Sequence, residues 1–193
     1  MKKYRLVQTG MKRFGKRTLY RIQSLKNFGN VKLGDKGGWI ESEHNLAQKG
    51  KAWISDVAAV FGRARVSGKA CVYGEAMVYG MARIHGKACV FGKAVISDKA
   101  TVFGKAMVYG EARVFGKAWI YGKAEVRGEA NVFGNAQVYG EAEISDEVDI
   151  YDRAWIYGNT WISGKFLICG EARVSSVGAA SIHNNINSIE EEK

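Results

Sequence analysis

The sequence predicts an all-β, single-domain parallel β-helix, and three observations carry the prediction. From residue 52 to residue 174 one six-residue pattern, Ala-x-Val-x-Gly-x, recurs twenty-one times without an insertion. The alternation has a period of two, which suits a strand, whose side chains point to opposite faces in turn, and excludes a helix. A fixed short period marks a solenoid, in which each unit buries its apolar face only by stacking on its neighbours. Ala holds the first position in eighteen copies, with Val148, Thr160 and Phe166 as exceptions; the third is Val or Ile throughout, from Ile54 to Val174. The fifth is Gly in sixteen copies, Asp at 56, 98, 146 and 152, and Ser at 176.

Residues 1–50 do not follow the pattern and are expected to form a basic N-terminal β cap. Two short strands, Tyr4 to Gln8 and Arg17 to Ser24, should meet at a turn around Phe14 and Gly15, followed by a glycine-punctuated stretch into Gly37-Gly38-Trp39-Ile40. An uncapped solenoid end presents unpaired backbone groups, so a cap is the first role for this segment. Residues 51–175 should be the β-helix itself. Three hexads per coil give a triangular prism of about seven 18-residue coils, a rod of roughly 33 Å at about 4.8 Å per coil. Ala, Val and Gly are expected to face a narrow interior, with Gly or Asp also letting the chain turn its corners. Phe166 and Thr160 suggest that the interior closes near the last coil, leaving residues 176–193 as a C-terminal cap and polar tail ending in Ile189-Glu190-Glu191-Glu192-Lys193.

Composition limits the function classes. At 193 residues and 47% hydrophobic, the chain can bury a core, and no apolar run is long enough for a membrane helix. The start, MKKYRLVQTG, lacks the apolar centre of a signal peptide, so a cytoplasmic location is expected. Cys71, Cys89 and Cys169 form no spaced framework and should be free thiols. The net charge of +10 is concentrated at the start: residues 1–50 hold twelve Lys and Arg against Asp35, Glu41 and Glu43. A basic cap can also receive an anion.

The stretch TLYRIQSLKNFGNVKLGDKGGWIESEHNLAQKGKAWI, residues 18–54, followed by AxVYGxAxV repeats, resembles the YdcK-like hexapeptide-repeat proteins frequent in phages, prophages and bacterial genomes. The segment Gly37-Gly38-Trp39-Ile40-Glu41-Ser42-Glu43-His44-Asn45-Leu46 is more diagnostic than the repeat. The resemblance implies a left-handed helix and homo-oligomers, commonly trimers; a bactofilin-like right-handed helix is the alternative, because here the glycine follows the aliphatic residue by two. It also implies a transferase label, which passes from fold to function without a site.

An acyltransferase would need a general base, and His44, His85 and His183 are the available histidines. No loop leaves the coils to complete such a site, and His85 replaces the Tyr, Phe or Ser of equivalent positions. A three-histidine metal site cannot be assembled, and Cys71, Cys89 and His85 match no zinc spacing, so no metal, cofactor or catalytic residue is expected. The outward positions are more informative. An interval of eighteen stacks Lys51, Lys69, Lys87, Lys105 and Lys123 in one column, a ladder able to receive phosphates or acidic side chains, or else ordinary solvated lysines. Beside it run Cys71, Cys89 and Met107, then Tyr73, Phe91 and Tyr109. A second side carries Phe103, Tyr121, Tyr139 and Tyr157 with Trp119 and Trp155, bordered by Arg65, Arg83, Lys99, Lys117 and Arg153. Such rings either stabilise the stack or form a contact surface for a protein or for nucleobases. The favoured reading is a non-enzymatic binding protein, of a phage or prophage type as the resemblance implies, that uses its outward ladders to engage a host protein, for instance a defence component, or an anionic ligand, nucleic acid or nucleotide. The alternatives are a hexapeptide acyltransferase and a structural filament or virion rod.

Overall fold

A computed structural model describes residues 2–175, and it is a β-solenoid of about eight turns. His183 and the expected C-terminal cap and tail lie outside the described residues. Strands β1 (Tyr4–Phe14), β2 (Arg17–Ser24) and β3 (Lys36–Ile40) precede twenty-one two-residue strands, β4 (Trp53–Ile54) to β24 (Arg173–Val174), one per hexad. Among the described residues the sole helical element is a 3-10 turn, Glu43–Asn45. Every third short strand joins the same parallel sheet, with Trp53 opposite Cys71 and so on at an interval of 18 residues. The three sheets are called side I (from Trp53–Ile54), side II (from Ala59–Val60) and side III (from Arg65–Val66).

The interior is built from the first and third positions. From Ala52 to Ile156 every such Ala, Val and Ile is fully buried. The glycines are different, and the expectation that they face the interior is corrected. They occupy the corners, at least partly exposed, with backbone in the left-handed region; Gly92, for example, has φ 67°. Their smallness serves the approach of adjacent coils, since a Cβ on Gly92 would lie 3.0 Å from both N and O of Gly110. The corner role itself holds, and Asp shares it: Asp56, Asp98, Asp146 and Asp152 also have positive φ. Each offsets that conformation in one way, its carboxylate accepting the backbone N–H of the residue one coil on, Gly74, Gly116, Gly164 and Gly170 respectively.

The first strand is longer than Tyr4 to Gln8, reaching Phe14 with a break in register between Val7 and Lys12. β1 pairs antiparallel with β2, β2 antiparallel with β3, and β3 parallel with Ala59–Val60, so the cap extends side II. Residues 39–54 also make an irregular first turn of the solenoid: Ile40 pairs with Val60 and Leu46 bridges Val66, each at an offset of 20 residues instead of 18. Gly37 and Gly38 permit this close seating, because a Cβ at either would come within 2.5 Å of the backbone oxygen of Ile54 or Ala58. Over the open end of the core, Tyr4 and Phe28 pack edge-on against Trp53. Lys3, fully buried, donates from Nζ to the Ala52 carbonyl at 2.8 Å. Desolvation, and then Lys26, lower its pKa to about 8. Asn45 ties the turn to the next coil, its amide donating to the Gly62 and Ala64 carbonyls while its oxygen accepts the Ser42 N–H. Glu41 accepts both Arg17 and the Gly62 N–H. The diagnostic segment is therefore largely explained by how the first turn is anchored.

Candidate functional site on side III

The predicted lysine ladder is present as a row of exposed side chains along the corner between sides III and I. Lys123 is paired with Glu141, one coil further along the same column. The strip beside it on side I is half-buried rather than fully exposed, and its rings cover one another: Tyr73, Phe91 and Tyr109 stack at 4.8 and 4.6 Å. Cys71 and Cys89 face each other across adjacent coils. Each thiol donates to a main-chain carbonyl, that of Lys69 and of Lys87 respectively, and the proximity of the Cys89 thiol brings Cys71 down to about 7 while Cys71 and burial push Cys89 up. His85 is on side III, away from both thiols, and among the described residues no three His, Cys, Asp or Glu side chains are grouped to hold a metal.

Side III carries the second predicted group. His85, Phe103, Tyr121, Tyr139 and Tyr157 form one continuous stack with centroid separations of 5.0, 4.9, 4.8 and 5.2 Å and nearly parallel rings. Such a stack uses up its own faces. Only ring edges and hydroxyls look outward, so inserting bases between these rings would require breaking the ladder. Trp119, nearly half exposed, stands edge-on to Phe103, and Trp155 lies under Arg173 at 4.9 Å. Thus the aromatic side chains singled out on side III, Trp119, Tyr121, Tyr139, Trp155 and Tyr157, are brought together chiefly by stabilising neighbouring coils.

Charge segregates around the circumference as well as along the axis. In the early coils, side III and its two corners bear Arg63, Arg65, Arg83, Lys99 and Lys117 together with the ladder. The acidic column Glu75, Glu111, Glu129 and Glu147 runs instead along the corner between sides I and II, interrupted by Lys93 and ending beside Lys165. On the cationic side the described early carboxylates are all engaged: Asp98 by the Gly116 N–H, Glu41 by Arg17 and the Gly62 N–H, and Glu43 by Lys2.

At the capped end of that side the structure forms a groove that the sequence did not single out. It measures about 780 Å³ and is lined by Ser42, His44, Gly62, Arg63, Arg65, Ser67, Met81, Arg83 and His85. Its size falls in the ~300–1,000 Å³ range of small-molecule sites. The 3-10 turn presents Ser42 and His44, side III presents Arg65, Arg83, Ser67 and His85, and the corner presents Arg63 and Met81. Arg65 and Arg83 are directly opposed on adjacent coils. None of the three arginines forms an ion pair with a described carboxylate. Burial, and then Arg83, lower the pKa of His85 and favour its neutral ring. A smaller groove of about 340 Å³ near Trp155 contains the Arg153–Glu171 pair and is nearer to neutral. The signal for the larger groove was available in part, since Ser67 interrupts the aromatic column just where Arg63, Arg65 and Arg83 cluster in the hexads.

Comparison with known proteins agrees with the repeat architecture. No family model matches this chain. A 50-residue stretch is 44% identical to a protein of Escherichia coli (strain K12) described as the uncharacterized acetyltransferase YdcK. The match covers 25% of this chain and 15% of that protein. With the β-solenoid, this is the profile of a hexapeptide-repeat protein. No described helix is long and apolar enough to cross a membrane.

Proposed function

We propose that this chain is a non-enzymatic binding protein that receives an anionic, phosphate-bearing ligand, nucleic acid or nucleotide, on side III. The observation that carries the reading is the groove at the capped end, where Arg63, Arg65 and Arg83 converge without a carboxylate partner. The lysine ladder would extend the same field along the rod, and a phosphate backbone following it would relieve the mutual repulsion of its members. In the phage or prophage setting that the resemblance suggests, such a protein would act by occupying or sequestering a host component. Salt-dependent binding of labelled single-stranded and duplex oligonucleotides tests the reading. Changing Lys69, Lys87 and Lys105 together to Gln should lower the log-log salt slope by roughly two to three without unfolding the rod. Failure of the parent protein to bind any nucleic acid or nucleotide would overturn it.

A second reading, an acyltransferase, is favoured by one specific observation: His44 and His85 line the same groove. Either imidazole could serve as a general base there, and the partial similarity to YdcK points the same way. Acetyl transfer by the parent that is lost in His85→Ala or His44→Ala, with the fold intact, would select this reading over the first. Self-association through side I, as a homo-oligomer and for instance a trimer, belongs with either reading and is tested by sedimentation.

A further inference from the structure

The aromatic column of side III stops one step short of the cap. Taken from the capped end, equivalent positions on successive turns are Ala47, Ser67, His85, Phe103 and Tyr121, since Ala47 N–H bonds to Val66 and Ser67 N–H to Ile84. One face of His85 is covered by Phe103 at 5.0 Å. Its other face is turned toward the level of Ser67, whose side chain is too small to cover a ring and which itself lines the groove. The spacing of the ladder is 4.8 to 5.2 Å elsewhere on this side, so the level of Ser67 is a vacant place of about one ring's thickness. Around this place stand Arg63, Arg65 and Arg83.

We propose that this place is a nucleotide site, in which a planar base stacks on the open face of His85 and so completes the ladder, while its phosphate groups pair with Arg63, Arg65 and Arg83. The inference rests on side III being the anion-binding face and narrows it to a ligand with both a flat ring and a phosphate. The physics asks for both parts. A stacked base replaces water over an imidazole that burial and Arg83 favour in its neutral form. Guanidinium groups match phosphate oxygens with paired donors. Ser42 and Ser67 supply hydroxyls at the rim for sugar or base. Inside the ladder no ring from Phe103 to Tyr139 offers such a face, because both faces of each are already covered.

Calorimetric titration of the full chain with ADP, adenosine and ribose 5-phosphate tests the site. ADP should bind, with adenosine and ribose 5-phosphate each weaker by roughly tenfold or more, the stacking share following the usual range for a base on an aromatic ring. Ser67→Tyr should fill the vacant place, raising Tm by about 2–4 °C as an added stacked pair while abolishing ADP binding. His85→Phe should keep ADP binding, and His85→Ala should lose roughly tenfold or more. ADP binding in Ser67→Tyr equal to that of the parent would overturn the proposal, as would equal binding of ADP and ribose 5-phosphate. Absence of ADP binding alongside salt-dependent binding of oligonucleotides would refute the nucleotide site and leave the anion-binding face standing. Absence of both would remove both.

Discussion

At Gly92 the chain turns a corner with φ 67°, and the four corners that carry Asp instead of Gly allow the cost of that turn to be divided into parts. Replacing Gly92 by Ala places a Cβ 3.0 Å from the N and O of Gly110 and forces an L-residue into the left-handed region, at about 1–2 kcal/mol for the conformation. Replacing it by Asp incurs a smaller conformational cost, since Asp tolerates the left-handed region better than Ala, and brings a carboxylate that can accept the Gly110 N–H, as Asp56 does with Gly74 at 2.9 Å. A hydrogen bond to a charged acceptor contributes about 1.5–3 kcal/mol, with the lower end fitting this exposed corner. Gly92→Asp should therefore exceed Gly92→Ala in stability by about 1–2 kcal/mol, or roughly 2–8 °C in Tm. Urea and thermal unfolding followed by circular dichroism would measure the difference, with midpoints compared because stacked repeats can depart from two-state unfolding. The gap should narrow near pH 3, where the introduced carboxylate becomes protonated. If Gly92→Ala is as stable as Gly92→Asp at neutral pH, the inter-coil hydrogen bond is not what makes Asp acceptable at the corners.

Val108→Asp should lower stability by several kcal/mol, because it puts an unpaired carboxylate into the dry interior, whereas Tyr109→Ala should lose one stacked contact and a part-buried hydrogen bond to Glu125 and cost much less; thermal unfolding that ranked them in reverse would contradict the inside-outside register. The buried Lys3 has its pKa lowered to about 8 from 10.5, so between those values the unfolded chain binds more protons and stability should rise with pH across that window. Lys3→Met should remove this part of the rise, and identical pH profiles for parent and variant would exclude Lys3 as its source. Cys71, brought down to about 7 by Cys89, should react with iodoacetamide at pH 7.5 faster than Cys89, and Cys89→Ala should slow it; equal rates by mass spectrometry would count against the thiol pair.

Most of the fold could be read from the sequence because each side chain in the hexad has one task, repeated. Ala70 and Val72 have the same surroundings as Ala88 and Val90, so the period exposes both the sheet pairing and the buried face. The glycines were assigned correctly to corners but wrongly to the interior, since a small residue is equally compatible with a narrow core and with close backbone approach. The outward columns were also legible, as the ladder and the stacked rings show. What a stacked ring can still do was not, because its free faces depend on both neighbours, as at His85 between Ser67 and Phe103. The groove escaped for a related reason. It joins His44, from an irregular turn with an offset of 20 residues, to Arg83 and His85 in a regular coil, and no period connects them.

That irregular turn separates two properties that are usually entangled in a protein. Each regular coil adds 18 residues and about 4.8 Å to the rod while meeting only the coil on either side of it. The groove draws on the cap turn and the first two regular coils alone. Coils could be gained or lost by duplication or deletion beyond Phe103 and the molecule would change its reach, as a ruler does when extended at one end, while the fitting at the other end stayed the same. Length and ligand choice are therefore free to be selected independently.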